Sequence, residues 1–236
     1  MLFKSSNQKR FKQSNELFDE QALLIAHQFE LYGFKYLKSK KMLLKESASK
    51  ELNFVLSFGT NRNNQQGSVV NFNVHFIVTS PLMQAWRKEL YPQLNFSSPN
   101  DIITNVGLGY LTNQKSYNAG SWNLIETNYQ EIVNIIKEYA LPSFDKFENK
   151  LLILDEFSSV KPKEFISEVL AFEYMLCFGN ISQAQNGLFN LLKQRNWLED
   201  YKNLEDRIRN GGQIDSNQNY ISNLIQIANY YKIVIK

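Results

Sequence analysis

The chain has a single cysteine, Cys177, among 236 residues, so no disulfide can form within it. The stretch around it is apolar, where a buried thiol is expected, and this usage fits a reducing compartment. Histidine is nearly as scarce. His27 and His75 are the two in the chain, which leaves few choices for an acid–base pair or an imidazole metal site. An excess of charge is also lacking: the net of +3 is too small to announce a nucleic-acid binder. The opening residues carry Lys4, Lys9, Arg10 and Lys12 and have no apolar core of the kind a secretory signal needs, so a cytoplasmic protein is expected. The longest charge-free stretch, 63–86, is interrupted by Asn63, Asn64, Gln65, Gln66, Asn71, Asn73 and His75, whose polar groups would go unsatisfied in lipid. No membrane association is expected. Low-complexity polar tracts are absent too, and 43% hydrophobic with 21% charged residues is the balance of a chain that builds its own core.

What is present points to an α+β fold: an antiparallel sheet of about five strands packed by helices, followed by an all-helical extension. The boundary is expected near residue 150, giving an α+β domain over 1–150 and a helical extension over 151–236 packed on it. Phe18, Ala22, Ile25, Phe29 and Tyr32 recur at helical spacing behind a cap at Ser14 or Asn15, and Gly33 is placed to end that element in the left-handed conformation. Three strands are predicted over 34–45, 52–60 and 69–79. In the third, Val70, Phe72, Val74, Phe76 and Val78 alternate with Asn71, Asn73, His75, Ile77 and Thr79, so one face packs and the other is mostly polar. The turn formers of 61–67 predict an antiparallel hairpin between the second and third strands.

Pro81 opens a short helix through Leu90, and 92–101 reads as a loop. Further strands are predicted over 106–111 and 122–125. Asn128 and Thr127 then cap a helix with the stripe Tyr129, Ile132, Val133, Ile136 and Tyr139, which Leu141-Pro142 is expected to break or bend. Beyond 150 the periodicity is helical. Phe165, Val169, Phe172 and Leu176 form one stripe ending at Gly179-Asn180, Ser182 caps a second helix carrying Ala184, Leu188, Leu191 and Leu198, and Gly211-Gly212 separates the last two helices.

Three motifs carry a family resemblance. Leu31, Tyr32, Gly33, Phe34 and Lys35, followed by Lys38, Lys40 and Lys41, fit a helix leading into a G-F-K-K-K-type strand. Val106-Gly107-Leu108-Gly109-Tyr110-Leu111 before Ser121-Trp122-Asn123-Leu124 fits a glycine-containing strand followed by tryptophan, with one tryptophan where the pattern has two. Tyr139-Ala140-Leu141-Pro142-Ser143-Phe144 fits a helix ending in tyrosine, a small residue, Leu, Pro and an aromatic. Over about residues 16–148 the chain resembles a bacterial domain-of-unknown-function family whose members resemble immunity proteins of toxin loci. The resemblance implies a binding protein that neutralises a toxin made by the same cell. The region after 150 lies outside it.

Motifs that would signal catalysis are missing. Leu151-Leu152-Ile153-Leu154-Asp155-Glu156 is shaped like the strand and acidic pair of ATPases, but there is no phosphate-cradling glycine loop. Gly107-Leu108-Gly109 lacks the third glycine of a dinucleotide fingerprint. Asp145, Glu148 and Lys150 resemble nuclease ligands but follow a proline-bent helix, and no zinc, metalloprotease or nucleophile-elbow pattern exists. No cofactor is implied. His27 falls opposite the buried stripe of its helix and reads as solvated. The first fifty residues hold ten Lys or Arg against five Asp or Glu, a net of +5 that leaves −2 for the rest. Lys35, Lys38, Lys40, Lys41 and Lys45 suit either an edge strand guarded against aggregation, which is favoured, or a nucleic-acid ridge with Tyr32, Phe34 and Tyr36.

The leading expectation is a non-enzymatic immunity protein that binds a cognate protein toxin. Its partner-binding candidates are Asn71, Asn73 and His75 on the polar strand face, with Asp155 and Glu156 facing a basic nuclease toxin. The alternatives are nucleic-acid binding through the basic first hairpin, and an uncharacterised hydrolase using His75 with a carboxylate. The oligomeric state is open. Tyr230, Tyr231, Ile233, Val234 and Ile235 are apolar enough to cover the sheet or meet another subunit.

Overall fold

A computed structural model describes residues 14–60, 64, 69–94, 96, 99–112, 121–212 and 219–235. The fold is α+β, with an antiparallel sheet, helices on one of its faces and a helical C-terminal part. Helix α1 (Ser14–His27) buries Phe18, Ala22 and Ile25, as the spacing predicts. Gly33, at φ +85°, closes the short turn after it.

The strands β1 (Lys35–Leu37), β2 (Met42–Glu46), β3 (Asn53–Gly59) and β4 (Asn71–Thr79) form an antiparallel meander in chain order. The single strand expected over 34–45 is thus two. Lys38–Lys40 turn the chain and Lys41 takes φ +51°, a reversal made without glycine or proline and therefore invisible to turn chemistry. The β3–β4 hairpin is antiparallel as predicted, with Leu56 opposite Phe76 and Ser57 opposite His75. Most of its 61–67 connection lies outside the described residues.

Beyond β4, helix α2 (Pro81–Leu94) runs through Pro92 into the stretch that the sequence marks as loop. Strand β5 (Ile102–Gly107) comes earlier than expected. The 106–111 stretch is its end followed by a one-turn helix α3 (Leu108–Leu111), in which Leu108 and Leu111 are both buried. Strand β6 (Ser121–Asn123) then pairs with β4. Both β5 and β6 lie along the same edge of β4, β5 opposite residues 75–79 and β6 opposite 71–73. They make one edge line along β4.

Asn128 caps α4 (Tyr129–Ile135) by accepting from the Gln130 N–H. Pro142 does not break the helical path. A π turn over Ile136–Ala140 lets the Leu141 N–H reach the Ile136 carbonyl, and Pro142 falls in the first turn of α5 (Leu141–Glu148), where its missing donor costs little. Helix α6 (Lys150–Glu156) carries the Leu-rich run ending in Asp155 and Glu156, so that run is not a strand.

The C-terminal helices are α7 (Glu168–Phe178), α8 (Ile181–Gln194), α9 (Leu198–Arg209) and α10 (Asn219–Tyr230). Phe165 precedes α7, which Ser167 caps. Asn180, not Ser182, caps α8 through a reciprocal box with Gln183, and Leu198 belongs to α9. The box closes at Asn180, whose Oδ1 accepts from the Gln183 N–H while Gln183 Oε1 accepts from the Asn180 N–H.

The core lies on one face of the sheet. Phe144 of α5 stacks on Phe76 at 4.3 Å and meets Phe54 at 5.0 Å, while Phe18 of α1 meets Phe72 at 5.2 Å. From there Phe147 reaches Phe165 and Tyr174, so the buried cluster continues from the sheet into the C-terminal helices. The chain's last segment packs on α2: Tyr231 stacks against Trp86, and Ile233 and Ile235 are buried, while Tyr230 and Val234 stay exposed. No helix among the described residues is long and apolar enough to cross a membrane.

Candidate functional site

Alternation along β4 puts Phe72, Val74, Phe76 and Val78 in the core and sends Asn71, Asn73, His75, Ile77 and Thr79 to the other face. No described helix packs over that face. His75 is exposed there, and its neighbours Asn71, Asn73, Ser57 and Ile77 are half-buried by one another. The pairing extends the strip sideways: Gly59 and Ser121 flank Asn73, while Ser57 and Gly107 flank His75. Toward β1 the same face turns aliphatic, with Val55 opposite Leu44 and Met42 opposite Leu37. The result is a polar strip beside a small apolar patch, on rigid strands.

The structure therefore brings Asn71, Asn73 and His75 together, as their spacing predicts. His75 Nδ1 is 3.3 Å from Asn105 Oδ1, a contact that orients the ring. Asn71 is committed at its backbone, where its N–H donates to Asn64 Oδ1 and its carbonyl accepts from Thr60. Asp155 and Glu156 sit on a different element. Asp155 is exposed on α6, whereas Glu156 is half-buried and accepts from Lys146 Nζ at 2.8 Å. Burial lowers the Lys146 pKa, but the bond to Glu156 and the charge of Glu164 outweigh it and leave the ammonium above its usual value. Among the described contacts, none links the acidic pair to β4.

Beside His75 this edge opens into a cleft of about 510 Å³. Its floor is His75, Asn105 and Gly107. One wall is Tyr110 of α3, and the other is the segment 161–166 with Arg195 at the end of α8. That segment is fastened along β5 because Thr104 Oγ1 donates to the Glu164 carbonyl, and Lys163 Nζ donates to the Leu111 carbonyl at 2.8 Å. Lys161 and Arg195 converge on Glu168 Oε1, at 3.0 and 2.7 Å. Burial pushes the Glu168 pKa up, but these two cations outweigh it and hold the carboxyl below its usual value. Arg195 also lies 5.8 Å over the Trp197 ring. The cleft is cationic, and no Asp or Glu lines it among the described residues.

These cations escape a reading of the sequence because they come from one loop and a helix end that are distant along the chain. The one local signal is Lys161-Pro162-Lys163, a basic pair around a proline outside any periodic run. The lysines of the first hairpin have structural partners: Lys41 pairs with Asp19 and Lys45 lies over Phe34, while Lys35, Lys38 and Lys40 are exposed on or beside the edge strand. His27 is exposed and contacts Glu30 at 2.8 Å. Cys177 is half-buried, and burial pushes its thiol up to about 11, so it is neither a ready nucleophile nor a ready ligand. Among the described residues no three His, Cys, Asp or Glu are grouped to hold a metal ion. Comparison of the chain with family models, curated proteins and solved structures gives no match.

Proposed function

We propose that the chain is a non-enzymatic binding protein that neutralises a cognate protein toxin by direct contact through the open face of its sheet. The observation that carries the reading is that face: Asn71, Asn73 and His75 stand in a row on a strand whose other side is locked into the core, beside the half-buried aliphatic side chains of Leu37, Met42 and Leu44. A rigid surface of this kind pre-pays the ordering cost of association. Asparagine amides supply donors and acceptors in a polar rim, and the aliphatic patch supplies the desolvated centre from which affinity comes. The toxin as partner comes from the family resemblance over about residues 16–148. Binding is favoured over hydrolysis because the cleft at His75 offers no carboxylate, among the described residues, to orient or share a proton with the imidazole.

The test is alanine substitution at Asn71, Asn73 and His75 together, followed by measurement of affinity for the toxin partner. Loss of at least about tenfold is expected, the scale of one or two interface anchors. Unchanged affinity sinks the assignment of the face. The acidic pair makes a separate claim: Asp155→Asn weakens the complex only if a basic surface of the toxin reaches around to α6.

A further inference from the structure

We propose that the cleft between β5, α3, the 161–166 segment and the end of α8 binds a phosphorylated small molecule of nucleotide size. Three features of the cleft point there. The first is charge. Lys161 and Arg195 share one carboxylate, Glu168, and Lys163 is held by the Leu111 carbonyl and the Tyr139 ring, so the three cations carry a net excess of two positive charges in a concave site with no acid among its described lining residues. Concave walls of low dielectric strengthen such a field.

The second is fixation. Arg195 is held by Glu168 on one side and by the Trp197 ring on another, and it spends only part of its fork of donors doing so. Lys161 is tied to the same oxygen, with its ammonium mostly buried. Lys163 is tied to the Leu111 carbonyl. A lysine on a solvated surface loses rotamer freedom when it meets an anion, whereas Lys161, paired with Glu168 and with little of its side chain exposed, has already lost most of it. Each retains donors for a second acceptor, and phosphate oxygens match them by charge and number.

The third is an apolar companion to the charge. Tyr110 is 57% exposed and Ile166 is 49% exposed, and both line the cleft. A ring placed against them would cover surface that is otherwise wet, while Asn105 and His75 on the floor offer polar contacts for a sugar or base edge. The volume of about 510 Å³ is in the range of small-ligand sites and accommodates a nucleoside with its phosphates. The cleft shares His75 with the partner face, whereas Asn71, Asn73 and the aliphatic patch do not line it, so the cleft is tested at residues that the partner reading does not use.

Calorimetric titration of the whole chain with ADP, adenosine and inorganic phosphate tests the site. Saturable ADP binding is expected, with adenosine and phosphate each weaker by at least about tenfold, because each makes only half of the contacts. Lys161 and Arg195 hold a buried carboxylate and their loss endangers the fold, so the variants are Lys163→Gln with Tyr110→Ala, and Ile166→Glu, all on the cleft walls and outside the core. Each should weaken ADP by at least about tenfold while the circular dichroism spectrum is kept. Lys38→Gln with Lys40→Gln, on the far hairpin, should change nothing. Absence of ADP binding at millimolar concentration, equal binding of adenosine, or wild-type affinity in both cleft variants overturns the proposal. A 5′-phosphorylated oligonucleotide that displaces ADP and binds much more tightly overturns the small-molecule assignment and gives the phosphate to a nucleic-acid end.

Discussion

Glu168 is where the packing and the electrostatics of single residues meet. Its carboxyl is buried, which alone would raise its pKa, yet Lys161 and Arg195 bring it below the usual glutamate value of 4.5. A group depressed in the folded state stabilises the fold fully above its unfolded value and loses that contribution as pH falls through its folded value. Denaturant midpoints measured from pH 7 downward should therefore drop below about pH 4.5 more steeply in the wild type than in Glu168→Gln, the two curves converging in acid. Parallel curves would show that the pair contributes nothing. A second buried group makes a larger claim. Arg87 and Glu173 are both fully buried, paired at 2.7 Å, and completed by Tyr91, Asn100 and the Ile102 carbonyl. Arg87→Ala leaves a carboxylate with no counter-charge in the core and should cost about 3–5 kcal/mol in urea unfolding. A loss under about 1 kcal/mol would mean that water reaches Glu173. Neither network is legible in the sequence, because Arg87 and Glu173 are 86 residues apart and each looks like an ordinary helical charge.

At the scale of elements, legibility follows periodicity. The alternation of β4 and the stripes of α1 and α4 translate directly into buried and exposed faces, because one side chain in two, or one in three to four, must point the same way. It fails where the chain turns without turn formers, as at Lys38–Lys41, and it does not show that a π turn carries the helical path on to Pro142. It also fails at 106–111, where Val106, Leu108 and Tyr110 alternate like a strand although Leu108 and Leu111, three apart, are the pair that the short helix buries. One contact between elements is tight enough to test. Helices α7 and α8 approach so closely at Gly187 that a Cβ there would lie 2.1 Å from Met175 Sδ, a side chain with no exposed surface. Gly187→Ala gains helix propensity of up to about 1 kcal/mol and still should destabilise the protein, by about 1–3 kcal/mol of overpacking net. A gain in thermal stability would show that Met175 has somewhere to go. The spacing of α7 and α8 is thus set by the missing side chain of one residue.

For the whole molecule, the division of labour between the two sides of the sheet matters most. The core side is continuous from Phe18 through the rings of Phe76, Phe144 and Phe147 to Tyr174 and the C-terminal helices, so those helices stiffen the strands from behind. No described helix covers the other side, and the C-terminal aromatic segment, apolar enough to do so, is packed on Trp86 instead. The candidate strip is legible in the sequence because it lies on one strand. The cationic cleft is not, since its walls come from β5, α3, the 161–166 segment and Arg195, which only the fold assembles. The most direct measurement is capture of partners by tagged protein from nuclease-treated lysate of the source cells, with the wild type beside the Asn71, Asn73 and His75 alanine variant, and assay of the captured protein's toxicity. One stoichiometric protein, harmless while bound, toxic when released and lost from the variant, is the predicted result. A captured protein that the variant retains at wild-type affinity, or no protein partner at all, contradicts the account.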